Sequence, residues 1–397
     1  MTDAAPRART GAMTGPMTVD ADRTYPPAPP LTRADMPTDL SISLDRYTGG
    51  RAHRIPATPE AMGPAQDMPG FDGYRNVIDY IVRITHRIWE TDEREVDYIG
   101  ACYAPGSLVF DEYGLQTGNA KIIADTHHTT GAFPDIVLDA EEVIWAGDAR
   151  RGFHTSHRAR LMGVNSGPSR HGEPTGRRID VMCLANCVAL RNDIYLEHVC
   201  YNTVKMLADL GLDPWDEAAR MVADPPAGWP RSGEVWNALR SAAAPPVPLS
   251  EAEPVEGFDP DAFARRVHAS LWCGDRAALA TDYAGDVTFE GAGGRRFTGV
   301  GAYGDHLGEM RGAFPDLSLQ VDEVYWMGSE AEGWRIATRW SAEGTHTGGG
   351  VTYGEPTGAA CQVWGITQSN VEDGRVVAEW QLFNEFDLMM QIVRARS

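Results

Sequence analysis

Phe133–Trp145 reads FPDIVLDAEEVIW, and Phe314–Trp326 reads FPDLSLQVDEVYW. The two stretches match without a gap. The pentapeptide GEPTG follows each of them, at Gly172–Gly176 and Gly354–Gly358. From there the copies run in step to Glu197–Asn202 and Glu379–Asn384. Upstream, RIWETD at Arg87–Asp92 has its counterpart in SLWCGD at Ser270–Asp275. Ordered matches separated by well over a hundred residues mark a duplicated domain, not a solenoid array. The chain therefore divides into a Pro-rich tail over 1–69, a first domain over 70–213, a helical extension and linker over 214–255, and a second domain over 256–394.

The tail holds eleven prolines and no sustained hydrophobic period, so it is expected to be disordered. The linker opens on a helical pattern, DPWDEAARMV, and ends in the Pro- and Ala-rich SAAAPPVPLSEAEP. The 397 residues carry a formal net charge of -21. Such a balance argues against nucleic acid or an anionic membrane as partner, since both need a basic footprint. Six cysteines occur without a C-x-x-C pair, which predicts reduced, buried thiols and a cytoplasmic location. No apolar run is long enough for a transmembrane helix.

Each copy opens with an amphipathic helix, Val77, Ile78, Ile81, Ile84 and Ile88 recurring at helical spacing in the first. A short strand and a second helix follow. After FPD the period changes to two, and long strands succeed one another, the last pair joined in the second copy by Asp373-Gly374, a hairpin signal. Helices first and a curved antiparallel sheet after is an α+β layout whose concave side can hold a small molecule. GEPTG reads as a turn, with Pro fixing one φ and Gly supplying a positive one.

EGTHTGGG at Glu343–Gly350, then GEPTG, then EDGRVVAEWQLFNEFDLMMQI at Glu372–Ile392 resemble the SnoaL-like polyketide cyclase family of the nuclear transport factor 2-like superfamily. The resemblance covers nearly all of 256–394 and, more weakly, 70–213. It implies two tandem cone-shaped α+β domains working without cofactor or metal. In the cyclases an Asp in the W-x-x-x-D position acts as acid and base in an aldol closure. Here that position is Asn202 in one copy and Asn384 in the other, and Asn cannot shuttle a proton at neutral pH. The expected function is acid–base chemistry on a carbonyl compound of the cyclase, isomerase or lyase kind. The alternative is a non-catalytic small-molecule binding or assembly protein. The family's sheet-face dimerisation implies an intrachain pseudo-dimer, or a further homo-oligomer.

Strand alternation then selects candidates. With Asn384 facing the pocket, so do Leu382 and Trp380, while Glu379 faces away. The same parity turns Asn202, Cys200 and His198 inward in the first copy, with His198 a candidate general base. His157 aligns with Thr338 and shares the parity of Trp340, so both are expected at the pocket, while His154 is expected in solvent. The HTSH stretch at His154–His157 is no metal motif, because strand residues three apart point to opposite faces. Arg158 and Arg339 align and are expected to contact an anion or pair with a helix carboxylate. His346, in G-T-H, stands where the first copy has Asn165, and is a further candidate catalytic residue.

Overall fold

A computed structural model describes residues 23–25, 27–48, 58–90, 94–225, 235–236, 238–239, 247–272 and 275–396, less the side chains of Trp272 and Arg276. Cys273 and the first 22 residues lie outside these. In the first half, helices α1 (Val77–Trp89) and α2 (Ile99–Cys102) lead into β1 (Tyr103–Asp111) and β2 (Gly114–Thr117). Helix α3 (Asn119–Ala132) precedes four long strands, β3 (Val137–Asp148), β4 (Gly152–Val164), β5 (Arg178–Leu190) and β6 (Asp193–Cys200). Helices α4 (Thr203–Leu210) and α5 (Pro214–Ala223) close the unit. The second half repeats this after a turn of helix, α6 (Leu249–Ala252). It comprises α7 (Pro260–Trp272), α8 (Arg276–Asp282), β7 (Tyr283–Gly291), β8 (Arg296–Thr298), α9 (Val300–Ala313), β9 (Ser318–Ser329), β10 (Gly333–Thr345), β11 (Ala360–Glu372), β12 (Arg375–Phe383) and α10 (Glu385–Arg396).

Both sheets have six strands in the same order, β2-β1-β6-β5-β4-β3 and β8-β7-β12-β11-β10-β9. The pairing is antiparallel except at β1–β6 and β7–β12, which are parallel. A wholly antiparallel sheet, the expectation above, misses these two pairs because each first strand joins the sheet through a long crossover and not a hairpin.

The repeated motifs are explained by what they bond. Asp135 Oδ1 accepts the Val164 amide at 2.7 Å, and Asp316 Oδ1 accepts that of Thr345 at 2.7 Å. FPD thus ties the exit of each long helix to the far end of the second long strand. The Asn165 side chain accepts the Thr175 amide at 2.8 Å, and its carbonyl accepts that of Gly176. His346 takes the same place, its carbonyl accepting from Thr357 and Gly358 and its Nδ1 lying 3.1 Å from Thr357 Oγ1. Gly176 and Gly358 have φ of 68° and 72°, where a Cβ would be strained. GEPTG is a turn pinned by the residue at 165 or 346.

The sheets meet face to face. Arg158 donates to Gln368 Oε1 at 3.2 Å, Gln368 donates back to the Ser156 carbonyl at 2.9 Å, and Arg160 pairs with Glu290 at 2.7 Å. Part of the segment expected as a tail lies along this assembly. Arg33 pairs with Asp259, Arg151 with Asp35, and Trp145 Nε1 donates to the Ile42 carbonyl. Composition missed this because these groups are satisfied by remote residues of both halves. Among the described residues no helix is long and apolar enough to cross a membrane.

Candidate functional site

The concave side of the first sheet and α3 enclose a cavity of about 130 Å³. Its wall is mostly apolar, with Ile88, Ile122, Phe133, Leu161 and Ile179 among the lining residues. Into it point Glu197 from β6, Tyr103 and Asp111 from β1, and Tyr113 and His171 at the rim. Tyr103 donates to Glu197 Oε2 at 2.9 Å. Burial pushes the Glu197 carboxyl up to about 7, the charge of Asp111 adding to this and hydrogen bonds from Tyr103 and Cys187 opposing it. Asp111 is bound differently: it accepts the amides of Tyr113 and Gly114 and the Gln116 side chain, each at 2.8 Å. Of two neighbouring carboxylates one is clamped by three donors and the other is poised to exchange a proton near neutrality, a division of roles that acid–base chemistry uses.

At the rim, His171 Nδ1 lies 2.7 Å from Glu217 Oε1 and its Nε2 lies 2.9 Å from the Tyr113 hydroxyl. Burial lowers the His171 pKa, against the pull of Glu217, so the ring is neutral at pH 7. Burial alone would raise Glu217, but bonds from Arg220 and His171 hold it low. An ionised Glu217 can only accept, which fixes the imidazole proton on Nδ1 and leaves Nε2 to accept from Tyr113.

The second cone has the same frame and a different filling. Glu379 matches Glu197, and Tyr283 donates to it at 2.8 Å as Tyr103 does to Glu197. Here a second phenol, Tyr303, also bonds the carboxyl, and Ser369 adds a third donor. Tyr303 stacks on Phe289 at 4.5 Å, and Phe289 on Phe297 at 5.7 Å. The matching positions of the first cone are Ile122, Val109 and Gln116, all of which line its cavity. Trp340, expected at a pocket, is fully buried in this packing and donates to Thr367 at 3.0 Å. Its counterpart is Ala159.

The other expected positions lie elsewhere. Asn202 follows β6 with φ 52° and ψ 51°, so alternation does not carry through it. Its amide reaches the second half, accepting the Gly293 amide at 2.8 Å and donating to the Gly291 carbonyl at 3.3 Å. Counting parity from Asn202 reversed every assignment on β6: Glu197 faces the cavity, while His198 faces the other sheet, edge-on to Trp364 at 5.8 Å. Burial holds the His198 pKa well below its usual value. Cys200 is buried and alternates with His198. Asn384 also lies past its strand, and its side chain binds the Trp364 amide at 2.9 Å and Asp387 at 3.1 Å.

Trp380 does not face the second cone. It carries the Arg158 guanidinium 3.5 Å from its ring centroid, across the meeting of the sheets. Arg158 pairs with Glu141 and Arg339 with Asp322, strand carboxylates and not helix ones. His154, expected in solvent, is buried and bonds Glu323 at 2.8 Å. His157 has the alternation of Leu161 but does not line the cavity. His346 is a turn anchor. Neither Glu197 nor His171 is among the positions that strand alternation selects. The identity between copies at 197 and 379, and a His just before GEPTG where the second copy has Tyr353, are the signals that mark them. Among the described residues no group of three His, Cys, Asp or Glu is placed to hold a metal ion. The five described cysteines are unpaired and buried.

Residues 262–392 match the family model for the SnoaL-like polyketide cyclases. No curated protein matches the chain in sequence. Among solved structures, a SnoaL-like protein from Jannaschia sp. CCS1 resembles 35% of this chain over 98% of its own, at 15% identity and TM-score 0.31. IdmH from Streptomyces antibioticus resembles 34% of this chain over 99% of its own, at 21% identity and TM-score 0.30. AclR from Streptomyces galilaeus resembles 34% over 80% of its own, at 22% identity and TM-score 0.29.

Proposed function

From the match of residues 262–392 to the SnoaL-like family model and the same strand order in both halves, we propose that the first cone moves protons on a small, largely apolar carbonyl compound while the second is a packed copy that supports it. The family fold supports a cyclase- or isomerase-like role. One observation carries the finer reading: Glu197 stands in an apolar-walled cavity with its carboxyl raised to about 7.

Ionised Glu197 removes a proton from the carbon beside the substrate carbonyl. The enolate so formed is either reprotonated on carbon by the same carboxyl, which is isomerisation, or its carbon attacks a second carbonyl of the molecule, which is ring closure. In closure the π electrons of that second carbonyl become an alkoxide, which takes the proton back from Glu197. Tyr103 orients the carboxyl. Across the cavity the Tyr113 hydroxyl, held at rest by the His171–Glu217 pair, turns to donate to the enolate oxygen when substrate is bound. The neutral Asn at 202 and 384 does not count against this, because the acid–base group is five residues earlier, at 197. No cofactor takes part in these steps. The contacts between the sheets support reading the tandem as an intrachain pseudo-dimer.

The test needs no knowledge of the natural substrate. In D2O, the full chain should speed exchange of the protons beside the carbonyl of 1-tetralone, followed by NMR, with a rate that rises through about pH 7. Glu197→Gln should lose about 10²–10⁴-fold, the usual worth of a positioned general base. Wild-type exchange in the Glu197→Gln chain would remove the proposal.

A further inference from the structure

A second cavity, of about 290 Å³, lies between the two sheets. The first half supplies His154, Asn186, Leu196 and His198, and the second supplies Glu323 and Arg339. Pro27–Leu31 forms part of its wall, and that segment is held down by Arg151, which donates to the Pro30 carbonyl at 3.0 Å, and by the Arg33–Asp259 pair. The catalytic reading above makes no use of this space.

Two observations point to an occupant. Asn186 and His198 are opposite each other on β5 and β6, each 4% exposed. Both atoms of the Asn186 amide and Nε2 of His198 have no hydrogen-bond partner among the described residues. Burying a polar group without a partner is costly, so an amide and a ring nitrogen left so beside a cavity point to a polar occupant. The charges around the same space are all matched: Arg339 with Asp322 at 3.1 Å, His154 with Glu323 at 2.8 Å, and Arg265 with Asp261 at 3.0 Å. A charged guest would find no free counter-ion there.

We propose that the space between the sheets is a second binding site, for an uncharged, mostly apolar molecule that presents a neighbouring donor and acceptor, as a lactam or carboxamide does. The Asn186 amide is self-complementary to that pair, donating through Nδ2 and accepting through Oδ1. His198 Nε2 supplies a further contact, and the prolines and Leu196 cover the apolar remainder. The proposal is independent of the chemistry assigned to the first cone, which lies on the other side of the same sheet.

The experiment uses quinolin-2(1H)-one, a neutral aromatic lactam, with the full chain. Its binding is followed by calorimetry and by the ¹⁵N resonances of the His198 ring. In the wild type, addition of the lactam should shift the His198 Nε2 resonance. Asn186→Leu should weaken binding at least tenfold, and Ile122→Tyr, which fills the first cone, should leave it within twofold. An unmoved His198 resonance at saturating lactam overturns the proposal, and this needs no variant to fold. So does binding that survives Asn186→Leu and is lost in Ile122→Tyr, which would place the lactam in the first cone.

Discussion

The two cones of this chain share a sheet order, a buried Tyr–Glu pair and the same turns, yet one is open and the other is packed. The difference is in a handful of side chains. Where the second cone stacks Tyr303, Phe289 and Phe297, the first has Ile122, Val109 and Gln116 around a cavity. Glu379 is bonded by Tyr283, Tyr303 and Ser369, so three donors hold it inside the aromatic packing. At the same three positions Glu197 has Tyr103 and the weaker thiol donor Cys187, while Ile122, in place of Tyr303, offers no donor. The copies thus share a frame with different fillings: one has its acid at a cavity, and the other has its acid in an aromatic core.

The contrast can be broken in stages. The largest effect is on turnover: Glu197→Gln should lower 1-tetralone exchange by about 10²–10⁴-fold, and Glu379→Gln should leave it near wild type. Equal losses would mean that both cones work. Next comes conversion of the first cone toward the second. Ile122→Tyr places a phenol where Tyr303 stands, and should cut exchange at least tenfold while changing stability by no more than about 1–3 kcal/mol, as overpacking does. Unaltered exchange in a folded Ile122→Tyr chain would show that the substrate binds elsewhere.

A third effect is on stability and pH. The Glu197 carboxyl is raised to about 7 by burial, so between about pH 4.5 and 7 the folded chain keeps a proton that the unfolded chain has released. Stability from this group therefore falls as pH rises through that window, and does not fall further above it. Glu197→Gln should remove that slope and leave the protein about 3 kcal/mol more stable at pH 8, read from denaturant unfolding. A slope unchanged by the substitution would assign it to another group. The smallest effect belongs to Phe289→Val, which opens the second cone. It should cost about 1–3 kcal/mol of stability with exchange activity unchanged.

What the sequence made legible was what is local. FPD, GEPTG and the Asp373-Gly374 hairpin each bond within their own neighbourhood or to the next strand, and Asp373 and Gly374 have the positive φ that such a turn requires. The direction of β6 was not legible. It was counted from Asn202, and Asn202 sits beyond the strand in a left-handed conformation, so one residue of irregular backbone exchanged cavity for interface. His171 was hidden for another reason. Its partner Glu217 comes from α5, beyond the repeat, and no local spacing announces that pair. Likewise Pro27–Leu31 reads as an unstructured stretch until Arg151 and Asp259 are brought to it by the fold.

The measurement that bears most directly on the division of labour is a ¹³C-carboxyl NMR titration of the glutamates in the full chain, with and without 1-tetralone. The account predicts that Glu197 titrates near pH 7 and that its resonance moves on adding the ketone, while that of Glu379 does not. A Glu197 that titrates in the ordinary carboxylate range, or a ketone that moves Glu379 instead, would contradict it.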